Sequence, residues 1–185
     1  VTIKYTNWEH KHPYGQIIQN IGPIDILENF YEYQLYCKSL NASIQSFTKS
    51  AIKALQDISE DQYIEKILKT NPKIENRLDE RIITIDAKET KEIDDAFSIK
   101  QVEYEGQIVY RLSIYIANVA IWMEALNLWS SFSKRISTIY LPDRKRPMLP
   151  SIMSDILCSL RQNNNRFAFT LDIYIADSKI LNYEF

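Results

Sequence analysis

The sequence predicts an α+β fold built on a mixed, largely antiparallel sheet with helices. Three observations point to it. Residues 96–104 and 107–119 are β-rich runs joined only by Glu105-Gly106, a connection suited to a tight hairpin. Residues 25–40 and 59–69 carry apolar positions at helical spacing. The chain has 185 residues, 45% hydrophobic and 12% aromatic, enough to bury a core rather than remain disordered.

In chain order, Val1-Thr2-Ile3-Lys4-Tyr5 and the run from Gly15 to Gly22 alternate apolar and polar residues between Pro13, Gly15 and Gly22, which predicts two short strands. A helix follows over 25–40, with Ile24, Ile26, Leu27, Phe30, Leu35 and Tyr36 as apolar positions and Asn41 as its stop. A second spans 42–55. A third starts at Ser59 or Glu60 and runs to Lys69, with Ser59 and Gln62 spaced as a capping box and Asn71-Pro72 ending it. Ile82-Ile83-Thr84-Ile85 reads as a strand and the hairpin over 96–119 follows. Residues 123–133 read as a helix and 167–175 as another strand. Repeats and low-complexity tracts are absent from the sequence.

The net charge of −2 gives no overall basic field, so any affinity for nucleic acid must be local. Cys37 and Cys158 have neither metal-site spacing nor a disulfide framework, which predicts reduced thiols and an intracellular protein. Cys158 reads as a packing residue, and His10 and His12 lack partners at ligand spacing. No apolar run is long enough to cross a bilayer, so no membrane role is expected.

The densest chemistry lies in Asp86-Ala87-Lys88-Glu89-Thr90-Lys91-Glu92-Ile93-Asp94-Asp95, between two apolar runs that favour a buried sheet. Asp86, Glu92, Asp94 and Asp95 repel one another unless cations or hydrogen bonds absorb their charge. Mg²⁺ prefers such hard oxygen ligands, and Mn²⁺ is the alternative ion. Bound to carboxylates, it polarises phosphodiesters and activates water. The bland alternative is a solvated acidic turn.

A second segment weighs against the bland reading. Tyr140-Leu141-Pro142-Asp143-Arg144-Lys145-Arg146-Pro147-Met148-Leu149-Pro150 precedes Ser154-Asp155-Ile156-Leu157-Cys158-Ser159-Leu160. With Thr84-Ile85-Asp86 and Ile93-Asp94-Asp95-Ala96, these patterns resemble the ribonuclease II-like (RNB) family of 3′→5′ exoribonucleases, nearest to its mitochondrial degradosome-type subgroup.

The resemblance implies three parts: 1–24 as the end of a cold-shock (OB-type) domain, 25–76 as a helical connection, and 77–185 as the N-terminal part of an RNB catalytic domain. It implies that Asp86, Glu92, Asp94 and Asp95 are catalytic and hold Mg²⁺, with Glu92 standing where many members have aspartate. It implies that Tyr140 stacks on a base and that Arg144, Lys145 and Arg146 meet RNA phosphates. Arg161 and Arg166 are weaker phosphate candidates. The implied partners are single-stranded RNA and a helicase or RNA-degradation complex, in cytoplasm or mitochondrion.

Tyr115 and Asn118 depart from the histidine and aspartate of many members, which keeps a catalytically silent RNA-binding relative as the alternative. A start at Val1 and an end just after a strand-like run suggest a piece of something longer. The family's downstream phosphate-clamping arginine and RNA-binding domain lie outside these residues. Little or no nuclease activity is therefore expected of this piece alone.

Overall fold

The alternation over 95–117 folds as a hairpin. The computed structural model describes residues 1–132 and 134–185, with the backbone alone of Asp57. They form two units, residues 1–44 with 134–148, and residues 45–132 with 149–185. No helix among the described residues is long and apolar enough to cross a membrane.

In the first unit, β1 (Thr2–Asn7) pairs antiparallel with β2 (Tyr14–Gln19), as the alternation predicts. Gly15 lies opposite Tyr5, where a Cβ would stand 2.6 Å from Ile3 Cγ2, so any larger residue would collide with β1. The first helix, α1 (Leu27–Cys37), is shorter than predicted. It ends at Cys37, short of the expected stop at Asn41, because Ser39 adopts a left-handed φ of 56° and Leu40 N donates to Leu35 O at 2.8 Å. Of its predicted apolar positions only Leu35 is buried. The proline-rich loop carries two short strands, β5 (Ile139–Tyr140) and β6 (Lys145–Arg146), closed by Leu141 N donating to Arg144 O. Pro142 pre-sets the first corner of that turn.

In the second unit, α2 (Gln45–Asp57) and α3 (Glu60–Thr70) match the predicted helices within a few residues. Ser59 and Gln62 make the reciprocal capping box that their spacing predicts. The sheet follows the order β3-β4-β7-β8, antiparallel throughout: β3 (Asp95–Tyr104), β4 (Gln107–Ala117), β7 (Ala168–Ala176) and β8 (Lys179–Glu184). Glu105 and Gly106, with φ of 50° and 79°, form the two-residue turn of the first hairpin, and Asp177 and Ser178 turn the last one similarly.

Two sequence expectations fail here. Residues 82–85 are not a strand; only Ile83 bridges β3, exchanging hydrogen bonds with Phe97. The amides of Glu80 and Ile82 are used locally, on the carbonyls of Arg77 and Glu80, and Ile85 is exposed. The predicted helix over 123–133 instead divides. Helix α4 (Val119–Ala125) begins earlier because Asn118 caps it, its Oδ1 accepting from Ile121 N at 3.1 Å. It ends before Asn127, which has a left-handed φ of 52°, and a 3₁₀ turn follows over Trp129–Ser131. Ser133, the last residue of that prediction, lies outside the described residues. A π-helical turn at Ile152–Leu157 went unpredicted.

The core joins α2 and α3 to α4 and the π turn through Phe47, Ala51, Tyr63, Ile67, Trp122, Met123, Met153 and Leu157. Trp122 is fully buried, with the Phe167 ring edge-on at 6.0 Å. Trp122→Ala should lower stability by about 3–5 kcal/mol. Urea unfolding checks it, and a loss below ~1 kcal/mol would mean that this core repacks freely.

Candidate active site

The sheet separates its side chains in an unusual way. On one face β3, β4 and β7 align Asp95, Ile116 and Phe169, then Phe97, Ile114 and Leu171, then Ile99, Leu112 and Ile173. Ile99, Ile116 and Phe169 are nevertheless exposed. The opposite face buries a polar row, Ser98, Ser113 and Asp172. Buried polar groups need partners. They find them in the segment leading to the acidic motif.

Arg77 donates to both Asp172 oxygens, at 2.8 and 2.6 Å, and Nη1 also reaches Ser113 Oγ at 3.3 Å. Ser113 Oγ donates to Asp172 at 2.6 Å. Glu80 forms an ion pair with Arg111 and accepts from the Tyr115 hydroxyl at 3.2 Å, while Tyr115 shares a 2.9 Å hydrogen bond with Ser98. Burial pushes the Asp172 carboxyl up, but hydrogen bonds from Arg77 and Ser113 outweigh it and hold it below its ordinary value. Glu80 is likewise raised by burial and then lowered further by Arg111 and Tyr115. The hydrogen bond to Asp172 raises Arg77 in turn.

This network holds residues 75–83 on the sheet just ahead of Asp86. A second clamp grips the other end of the motif. Ser159, fully buried, accepts from Ile93 N at 3.0 Å and donates to Lys91 O at 2.9 Å. Leu160 N donates to Ile93 O at 2.8 Å, and Arg161 reaches Lys91 O at 2.9 Å. Ala117 N donates to Asp94 O at 2.8 Å. Residues 91–95 are thus held between the side chains of Ser159 and Arg161, the amide of Leu160 and the end of β4.

Asp86, Asp94 and Asp95 are exposed and Glu92 is half-buried. All four belong to one clamped segment of the second unit. Among the described residues, no three carboxylate, imidazole or thiol side chains already stand together as a metal-ligand group. The donor type, carboxylate oxygen throughout, is the one that hard divalent ions take. Cys158 is inert, as expected: burial pushes its thiol up to about 12, against a lowering by Arg166 and with a further rise from Asp94.

Of the predicted RNA contacts, Tyr140, Arg144, Lys145 and Arg146 lie in the first unit, and Arg161 and Arg166 in the second. Tyr140 is 75% exposed on β5. Arg144 and Arg146 are both paired with Glu32, so part of their charge is already answered. Arg161 is spent on Lys91 O, and Arg166 on Glu60 at 2.7 Å and Ser159 O at 3.1 Å. Sequence reasoning missed Arg77, Glu80 and Asp172. Asp172 did leave a signal, as the lone acid within the strand Ala168–Ala176.

An acidic segment clamped where it enters an antiparallel sheet agrees with the RNB resemblance of the sequence. The model of the RNB domain matches residues 74–185, and the chain belongs to the RNB family. It is 30% identical over 148 residues to Ribonuclease R of Mycoplasmopsis pulmonis, covering 80% of this chain and 19% of that protein. It is 33% identical over 98 residues to Exoribonuclease 2 of Aeromonas hydrophila, covering 53% and 14%. The chain therefore spans about a fifth or less of the length of these relatives. Mycoplasma genitalium RNase R, solved in complex with double-stranded RNA, shares the fold with a TM-score of 0.72 at 20% identity, over 98% of this chain and 31% of that one.

Arg77→Met would strand Asp172 without its main partner and should cost about 3–5 kcal/mol. The Asp172 carboxyl is depressed in the fold, so its contribution is fully present above the unfolded value near ~3.9 and is lost as pH falls through the folded one. Urea midpoints measured between about pH 6 and pH 2 should show this acid-limb loss in the parent and a shallower limb in Arg77→Met. Identical limbs would remove the pair from the account.

Proposed function

We propose that this chain carries the acidic motif of a hydrolytic 3′→5′ exoribonuclease that degrades single-stranded RNA to nucleoside 5′-monophosphates. The observation that carries this reading is the double clamp on residues 91–95, which fixes the backbone around three of the four carboxylates, Glu92, Asp94 and Asp95, that would otherwise repel one another into solvent. The names of the relatives, Ribonuclease R and Exoribonuclease 2, support it.

Asp86, Glu92, Asp94 and Asp95 would hold Mg²⁺, or Mn²⁺ in its place. Such an ion, when bound, supplies Lewis-acid polarisation of the phosphodiester and a water of lowered pKa. Glu92 has a longer arm than aspartate, and it is half-buried where the three aspartates are exposed. Ser159 and Leu160 set the height of Ile93 and so the aim of the acids on either side of it. Tyr140 would stack the terminal base, a sequence-tolerant contact worth roughly 1–3 kcal/mol. An enzyme that must accept any sequence needs such contacts more than base-edge hydrogen bonds.

The two departures that favoured a silent relative have structural tasks here. Tyr115 is buried with its hydroxyl on Ser98 and Glu80, and Asn118 caps α4. Neither residue is left as a vacant catalytic position, which supports the enzyme reading.

In the intact natural protein, 5′-labelled single-stranded RNA should fall to very short fragments with Mg²⁺ and stay whole in EDTA. Asp94→Asn should lower turnover by roughly 100-fold or more while sparing RNA binding in a gel shift. Unchanged turnover refutes the assignment of Asp94, and a gel shift without Mg²⁺-dependent digestion in the parent establishes the silent binder.

A further inference from the structure

The sheet of the second unit leaves one face largely to solvent, and the strand register shows what that face carries. Four rings stand on it, Tyr110 on β4, Phe169 on β7, Tyr183 on β8 and Phe185 just beyond, between 52% and 79% exposed. Phe185 joins two of the others, stacked on Phe169 at 5.9 Å and edge-on to Tyr183 at 6.0 Å. Ile99, Ile108, Ile116 and Ile180 stand on the same side and are 48% to 68% exposed. Half-buried Ile114, Leu171 and Ile173 fill the space between.

An aromatic side chain presents about 150–250 Å², so the exposed parts of the four rings come to roughly 500 Å². The isoleucines bring the patch to roughly 700 Å², at the area their hydrophobic transfer implies. The largest apolar patch on a typical monomer is about 300–600 Å². One side of a standard protein interface is about 800 Å². The patch therefore exceeds what a free surface ordinarily shows and comes near what one partner of a specific complex buries.

Its chemistry selects protein over nucleic acid. Single-stranded RNA needs a positive groove beside its stacking rings, and no lysine or arginine stands at the positions of this face. The charges it carries, Asp95 and Glu103, are acidic and both lie on the outer strand β3. We propose that the face seats a second copy of this chain, paired sheet on sheet about a two-fold axis that runs along the strands. Two such patches meeting remove roughly 1,400 Å² from water, within the range of specific interfaces. An axis in this direction reverses the strand order, so β3 of each copy covers β8 of the other and the acids stay apart. An axis across the strands would set those acids against one another. The contact then has an apolar centre with its acids on the rim, as stable interfaces do. The pairing does not depend on the nuclease reading.

Sedimentation equilibrium of the 185-residue chain tests this, in reductant so that the exposed Cys37 cannot bridge two copies. The mass should rise to that of two chains between about 1 and 100 μM. Ile99→Lys and Tyr183→Lys each act twice across a two-fold contact and should raise the dissociation constant by roughly 100-fold or more. Glu103→Lys, on the rim, should change it by less than about tenfold. Ile99 and Tyr183 are both more than 60% exposed, so an unchanged thermal midpoint separates lost pairing from unfolding.

A monomer at every concentration overturns the proposal and leaves the face to a different polypeptide. A dimer that survives both lysine substitutions overturns it as well, as do open-ended oligomers, which a closed two-fold pair excludes. NMR shifts at the amides of Tyr110, Phe169 and Tyr183 on adding a short oligouridylate would assign the face to RNA instead. None of these readings involves cleavage, so they stand apart from the digestion assay.

Discussion

The bidentate pair between Arg77 and Asp172 is the contact on which the second unit's arrangement turns. A buried ion pair is a poor source of net stability, since desolvating both charges offsets most of their attraction. Its value here is geometric. Two parallel hydrogen bonds fix the guanidinium in plane and angle, and Ser113 holds the carboxylate from the other side. Glu80, three residues on, repeats the logic with Arg111 and Tyr115. A segment with few regular backbone contacts is thereby held in register with the sheet through its side chains. The single bridge at Ile83 then suffices where a whole strand was expected.

What the sequence revealed depended on how local the responsible physics is. The capping box at Ser59 and Gln62 and the turn at Glu105-Gly106 involve only near neighbours, and both stand where their residues place them. The four acids were legible because they fall close together in one short run, from Asp86 to Asp95. Arg77, Glu80, Arg111 and Asp172 are scattered, and each alone looks like an ordinary surface charge; their meaning lies in the cross-strand register. The helix expected over 123–133 failed because Asn127 takes a left-handed conformation that apolar periodicity does not encode. The faces of the sheet were hidden for a related reason. Alternation says that two sides differ, but only the third dimension says which one is covered.

The basic loop shows the limit of counting charges. Arg144-Lys145-Arg146 is the most concentrated positive run in the chain, yet Glu32 draws on two of its members. Lys134-Arg135 is shorter and less conspicuous. The fold turns Arg135 inward, where it donates to the carbonyls of Pro147 and Ala42. Position and desolvation, more than the number of cations, decide where an anion is attracted.

The hydroxyl of Ser159 links the two motifs most distant in character, the acidic run and the Cys-Ser-Leu segment. Its hydrogen goes to Lys91 O and its lone pair receives Ile93 N, at a place with no solvent contact. Alanine would leave an amide and a carbonyl unanswered, and threonine would bring an extra methyl into a filled interior. Serine answers both groups without adding volume. A change at this one hydroxyl would therefore be felt twice, in the turn that carries it and in the acidic segment that leans on it.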